Sequence, residues 1–136
     1  MITQHEQQGT THSPEYLKAT DVFYSRFLFH RQPAPTFAKC AFNQVVYEQM
    51  WGPSEFHAPG NLREFDRVNR LAEIEAPVLF IVGQFDEVRV QTARDFQHLI
   101  PGSKLQIVED AGHMAMIDEP ERYRQALRSF LRPLED

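Results

Sequence analysis

The sequence predicts an α/β protein in which two parallel strands with flanking helices follow a helical segment. Three observations predict it. Two short apolar runs, Val78-Leu79-Phe80-Ile81-Val82 and Lys104-Leu105-Gln106-Ile107-Val108, are separated by a stretch with helical spacing. A further helical stretch follows the second run. Residues 1–60 carry helical rather than alternating patterns.

The first helix is expected over 13–31, where Ser13 caps, Pro14 takes the first helical position, and Tyr16, Ala19, Phe23 and Phe27 recur at helical spacing. Gln32-Pro33-Ala34-Pro35 breaks it. A second helix is expected over 36–50, with a stripe through Cys40 or Ala41, Val45 and Tyr47. Trp51-Gly52-Pro53-Ser54-Glu55-Phe56 ends that helix in a turn-rich segment with one acidic residue between apolar neighbours. Residues 60–70 read as a polar connector with a short helical turn.

The α/β unit begins near Leu71. The run 78–82 is apolar at every position and broken at Gly83, which predicts a strand buried on both faces. Ala93, Phe96, Leu99 and Ile100 then share a helix face, Pro101-Gly102-Ser103 punctuates the chain, and a second strand runs over 104–108. A last helix is expected over 118–131, where Asp118 caps, Glu121 completes a capping box, and Tyr123, Ala126, Leu127, Phe130 and Leu131 form the apolar stripe. The expected organisation is therefore a helical segment, 1–60, and an α/β unit, 61–136.

Composition narrows the function classes. With 136 residues, 42% hydrophobic and 24% charged, the chain fits one ordinary domain with a core rather than a disordered segment. A net charge of -5 without any Lys/Arg block argues against nucleic acid as partner. A single cysteine, Cys40, excludes an internal disulfide, and its neighbours Phe37, Ala38, Ala41 and Phe42 suggest a packed helix. No apolar stretch approaches the ~18 residues of a membrane span, and the polar start is no signal peptide, so a cytoplasmic protein is expected. His5, His12, His30, His57, His98 and His113 are scattered, without H-E-x-x-H, C-x-x-C or a calcium loop; neither metal nor cofactor is expected.

Chemistry concentrates in two residues. Asp86 lies just past the first apolar run and His113 just past the second. A strand-helix-strand unit makes two parallel strands, and neighbouring strands bring their matching ends to about 4.8 Å. Both residues would then emerge at the carboxyl edge, where open α/β sheets place their sites. A carboxylate there accepts the Nδ1 proton of an imidazole, fixes its tautomer, and leaves Nε2 as general base. Alone, an Asp after a strand is often a helix cap or a turn former, and a Gly-His pair is often only a loop.

The unit is incomplete by itself. Two parallel strands rarely make a stable sheet, and their faces and open edge need cover from further strands and helices. The chain therefore reads as a fragment or as half of an assembly.

Several stretches together resemble the proline iminopeptidases of the α/β-hydrolase fold: 46–56 (VYEQMWGPSEF), Gly60-Asn61-Leu62, 77–87 (PVLFIVGQFDE), Gly102-Ser103 and Gly112-His113-Met114. His5-Glu6-Gln7-Gln8-Gly9-Thr10-Thr11 and the helix through Val22-Phe23-Tyr24 look like the start of that family's helical cap. The resemblance implies the C-terminal portion of an α/β-hydrolase fold preceded by a cap segment. It also implies an aminopeptidase acting on small peptides with a free N-terminus, with Asp86 as triad acid and His113 as triad base. Glu55 and Glu87 match the acidic residues that hold the substrate's amino group. At about 4 Å and an effective dielectric constant of about 20, each amine-carboxylate pair would contribute about 4 kcal/mol before desolvation.

One part of that machinery has no counterpart. The fold presents its serine in G-x-S-x-G ahead of the acid and the base, and Ser13, Ser25, Ser54, Ser103 and Ser129 all lie outside such an elbow. Cys40, in an expected cap helix, does not replace it. The start Met1-Ile2-Thr3 falls where a cap would already be under way. Two readings follow: the C-terminal part of a serine aminopeptidase, inactive alone and dependent on a separate N-terminal half, or a noncatalytic binding or interaction module that associates with itself or another chain.

Overall fold

The computed structural model describes residues 1–34, 43–54 and 57–134. By internal contacts the chain forms two compact units. Met1–Tyr24 and Pro33–Asp66 make the first, and Ser25–Gln32 and Arg67–Asp136 the second.

Helices build the first unit: α1 (Ile2–Gln7), most of α2 (Pro14–Phe27) and α3 (Gln44–Met50). Ser13 caps α2 as expected, its Oγ accepting the Tyr16 N–H at 3.2 Å. Tyr16, on the inner face of α2, is 1% exposed. Its hydroxyl hydrogen-bonds Ser54 Oγ at 2.9 Å and Glu6 Oε1 at 3.2 Å, which ties α1 and the turn after α3 to α2. The helix expected over 36–50 is described from Gln44, where Asn43 caps by accepting the Val46 N–H at 3.2 Å. Cys40, Ala41 and the rest of 35–42 lie outside the described residues. Val45, expected on a buried stripe, is instead 75% exposed, and Tyr47 carries the covered side of α3. Gly60, Asn61 and Leu62 donate to the carbonyls of Trp51, Gln49 and Met50, so the connector satisfies the orphan carbonyls at the end of α3.

The second unit carries the sheet. A 3-10 helix (Val68–Glu73) leads to β1 (Leu79–Gly83), α4 (Val90–Leu99), β2 (Lys104–Val108), the short α5 (Ala115–Asp118) and α6 (Pro120–Leu131). The strands pair in parallel, Leu79 opposite Lys104 through Gly83 opposite Val108. Thus β1 sits one residue later than expected, because Gly83 completes the ladder instead of breaking it. Val108, Ala111 and Ala115 form the buried core, with Ile81 and Tyr123 packed against it.

Four expectations need correction. First, α2 ends at Phe27 rather than Arg31, because the carbonyls of Phe27 and Leu28 accept the N–H groups of His113 and Met114 at 2.7 and 2.9 Å. Second, Asp118 does not cap the last helix: it ends α5, and Glu119 takes the N-cap position of α6 with Pro120 at the first turn and no side-chain cap. Third, Leu99 and Leu131 are exposed at the ends of α4 and α6, while Ile100 is buried just beyond α4. Fourth, β1 is not buried on both faces, since Leu79, Phe80 and Ile81 remain half-exposed and only Val82 and Gly83 are covered. An open groove of about 570 Å³ borders β2 and α6, lined by Leu79, Leu105, Ile107 and Phe130 among others.

Candidate active site

The site is built where the two strands end. After Gly83 the chain turns sharply, and Asp86 holds the turn: its N–H donates to the Gly83 carbonyl, its Oδ2 accepts the Gly83 N–H at 3.1 Å, and its Oδ1 accepts the Val88 N–H at 2.9 Å. The turn-former reading of Asp86 is therefore correct. It is also incomplete, because Oδ1 accepts a second hydrogen bond from His113 Nδ1 at 2.9 Å.

His113 reaches that carboxylate from the loop after β2. The loop opens with Asp110 in the left-handed region, φ 57°, where a short polar side chain is tolerated. Gln84 and Phe85 then donate to the carbonyls of Val108 and Ala111, which lays the loop across the end of β1. Two glycines permit this approach. A Cβ on Gly83 would stand 2.1 Å from the Gly112 carbonyl oxygen, and one on Gly112 would stand 2.7 Å from the Phe27 oxygen.

Burial divides the pair by role. The Asp86 side chain is 4% exposed and the His113 side chain 44%. An ionised carboxylate only accepts, so Nδ1 carries the proton and Nε2 is the basic nitrogen. The arrangement can accept a proton at Nε2 and hold the resulting imidazolium against a shielded carboxylate.

Of the other expected site residues, Glu87 is half-buried directly after Asp86. Glu55 lies outside the described residues. Among the described residues, no serine stands in a strand-to-helix elbow. Ser103 precedes β2, at the end of the strand opposite His113, and donates its Oγ proton to the Gln97 carbonyl. Ser25 and Ser129 are exposed on helices, while Ser13 and Ser54 are engaged in the first unit as described above.

Two further features went unread in the sequence. His30 and Phe85 stack, with ring centroids 4.1 Å apart and planes 18° from parallel, beside the Asp86 turn. Asp118 is buried beneath the His113 loop. Phe85 could have been noted as an aromatic neighbour of Asp86, but nothing local points to His30. Among the described residues no cluster of metal-ligating side chains occurs, and no helix is long and apolar enough to cross a membrane.

Comparison with known proteins places the fold of this chain in a class. Residues 4–120 match the alpha/beta hydrolase fold family, and the chain belongs to it, as a C-terminal portion with two parallel strands. The relatives it resembles are more particular. It is 37% identical over 134 residues to the proline iminopeptidase of Heyndrickxia coagulans, covering 96% of this chain and 46% of that protein. To the proline iminopeptidase of Saccharolobus solfataricus it is 36% identical over 135 residues, covering 96% and 44%. Among solved structures it superposes on the Mycobacterium smegmatis proline iminopeptidase with a TM-score of 0.82 at 33% identity, and on VinJ with 0.87 at 30% identity. These cover 97% and 98% of this chain but 46% and 47% of theirs. The chain spans about half the length of the relatives it matches.

Proposed function

We propose that this chain is the C-terminal part of a serine aminopeptidase that releases N-terminal residues, proline foremost, from small peptides in the cytoplasm. The observation that carries the reading is the 2.9 Å hydrogen bond from His113 Nδ1 to the shielded Asp86 carboxylate at the carboxyl ends of adjacent parallel strands. In this reading His113 Nε2 takes the proton of a serine hydroxyl as that oxygen attacks the scissile carbonyl. It then returns the proton to the departing amine. Water repeats the sequence to release the acyl group. Asp86 stays ionised and holds the imidazole in its tautomer.

Glu55 and Glu87 bind the substrate's free amino group. An exopeptidase must recognise the chain end, and carboxylates beside a cationic amine do so: a blocked or internal amide leaves them without their counter-charge. No metal, cofactor or nucleic acid takes part in this reading.

The serine comes from a G-x-S-x-G segment outside these residues, carried by an N-terminal half that also covers β1. The half-exposed residues of β1 and the groove beside β2 support such an assembly. The same surfaces favour, as a second reading, a noncatalytic module that associates through its sheet. Mass spectrometry of proline-containing di- and tripeptides tests both. The chain alone should leave them intact, and addition of the N-terminal half of a relative should start hydrolysis. Turnover by the chain alone refutes the first half of the reading. Stable self-association without activity in the mixture favours the module.

A further inference from the structure

Asp118 ends α5 with its residue only 3% exposed, and it spends both carboxylate oxygens on backbone donors. Oδ2 accepts the N–H of Gly112 at 2.8 Å and that of His30 at 2.9 Å, while Oδ1 accepts the N–H of Arg31 at 3.0 Å. These three donors come from two separate stretches of chain. Gly112 immediately precedes His113. His30 and Arg31 follow Phe27 and Leu28, whose carbonyls accept the N–H groups of His113 and Met114.

The two stretches touch at backbone distance, since a Cβ on Gly112 would also stand 3.1 Å from the His30 nitrogen. Peptide N–H groups converging in a buried place need an acceptor, and a carboxylate answers several at once with charge-assisted bonds. One buried anion thus ties together both backbone segments that hold His113.

We infer that Asp118 is a positioning residue for His113, setting the imidazole against Asp86 through the Gly112 N–H and the 28–31 segment. The inference rests on the reading of Asp86 and His113 as acid and base. Asp118 acts at one remove, through backbone, and touches no reacting atom. An amide cannot replace it fully. Asparagine has one acceptor oxygen, so turning that oxygen toward His30 and Gly112 points its NH₂ at the Arg31 N–H, and the reverse flip points it at two donors.

The test reads the imidazole itself in the ¹⁵N-labelled full chain by NMR. The unsubstituted chain should show His113 in the Nδ1–H tautomer with a downfield Nδ1–H proton signal. Asp118→Ala, judged folded by circular dichroism and by its remaining amide spectrum, should lose that signal and mix the two tautomers. Asp118→Asn should keep part of it. A folded Ala variant with signal and tautomer unchanged overturns the role. If the Ala variant does not fold, the Asn variant decides: partial loss supports the role and full retention overturns it. Absence of the signal in the unsubstituted chain would overturn the acid-base pairing and this role together. Failure of peptide hydrolysis after mixing with an N-terminal half would leave the NMR result standing and count against the proposed function alone.

Discussion

Gly83 lies directly beneath the Gly112 carbonyl, so close that a methyl group on Gly83 would sit 2.1 Å from that oxygen. The last residue of β1 and the residue before His113 are therefore in backbone contact, and the Asp86–His113 distance depends on both remaining bare.

Gly83→Ala should push the His113 loop off the end of β1. Overpacking of this kind costs about 1–3 kcal/mol, and backbone on the far side leaves little room for relief. Urea denaturation should show a lower midpoint with an unchanged slope. The His113 Nδ1–H signal should weaken in the same variant.

Asp86→Asn tests the acid at the cost of one turn contact. Asparagine has one acceptor oxygen: with it toward the Gly83 N–H, the NH₂ faces His113 and selects the other tautomer, and with it toward Val88 and His113, the NH₂ opposes the Gly83 N–H. In the reconstituted enzyme kcat should fall by roughly 10⁴, the scale of the tautomer error in a serine triad. A loss below tenfold would argue that His113 is oriented by something else.

Glu87→Gln and Glu55→Gln address substrate recognition. Under the proposed function each removes one charged partner of the substrate amine, worth about 1.5–3 kcal/mol, so KM should rise by roughly 10- to 150-fold with a smaller change in kcat. An equal fall in kcat at constant KM would assign the glutamates to the chemical step instead.

Tyr16→Phe probes the first unit. It removes the hydroxyl from a contact with Ser54 and Glu6 and should cost about 1–3 kcal/mol at neutral pH. Burial, with the neighbouring Glu6 charge, raises the phenol above its ordinary value of 10.0, and the Ser54 hydrogen bond opposes this. The raised value means that the folded chain keeps the proton longer than the unfolded one. Stability from this group is therefore complete below pH 10 and is lost as pH rises beyond it. Denaturation midpoints taken up to high pH should fall in the parent chain and fall less steeply in the variant.

How far the sequence could be read follows from the range of each interaction. β2 is marked by its own residues and by Pro101-Gly102 before it, and it runs over Lys104–Val108 as expected. The approach of Asp86 to His113 was readable because a strand-helix-strand unit leaves few topologies open. Asp118 was misread as a cap because the local pattern before Glu121 favours one. Two of its three partners lie 87 and 88 positions back at Arg31 and His30, the third is Gly112 on the preceding loop, and no local rule reports them. The end of α2 failed for the same reason, since its last carbonyls are claimed by His113 and Met114. Leu99 and Leu131 show a further limit: spacing identifies a helix face but not where neighbouring elements stop covering it.

Ser25–Gln32 groups with the α/β unit although it interrupts the helical one in sequence. Anyone exchanging the helical segment for that of a relative would need to leave this piece behind, with junctions on both sides of it. A single junction near residue 60 would exchange the backbone that grips His113 along with the rest. Under the proposed function, swaps of that kind would report a broken proton relay as though it were altered substrate preference, and libraries built on them would discard good specificity changes for the wrong cause.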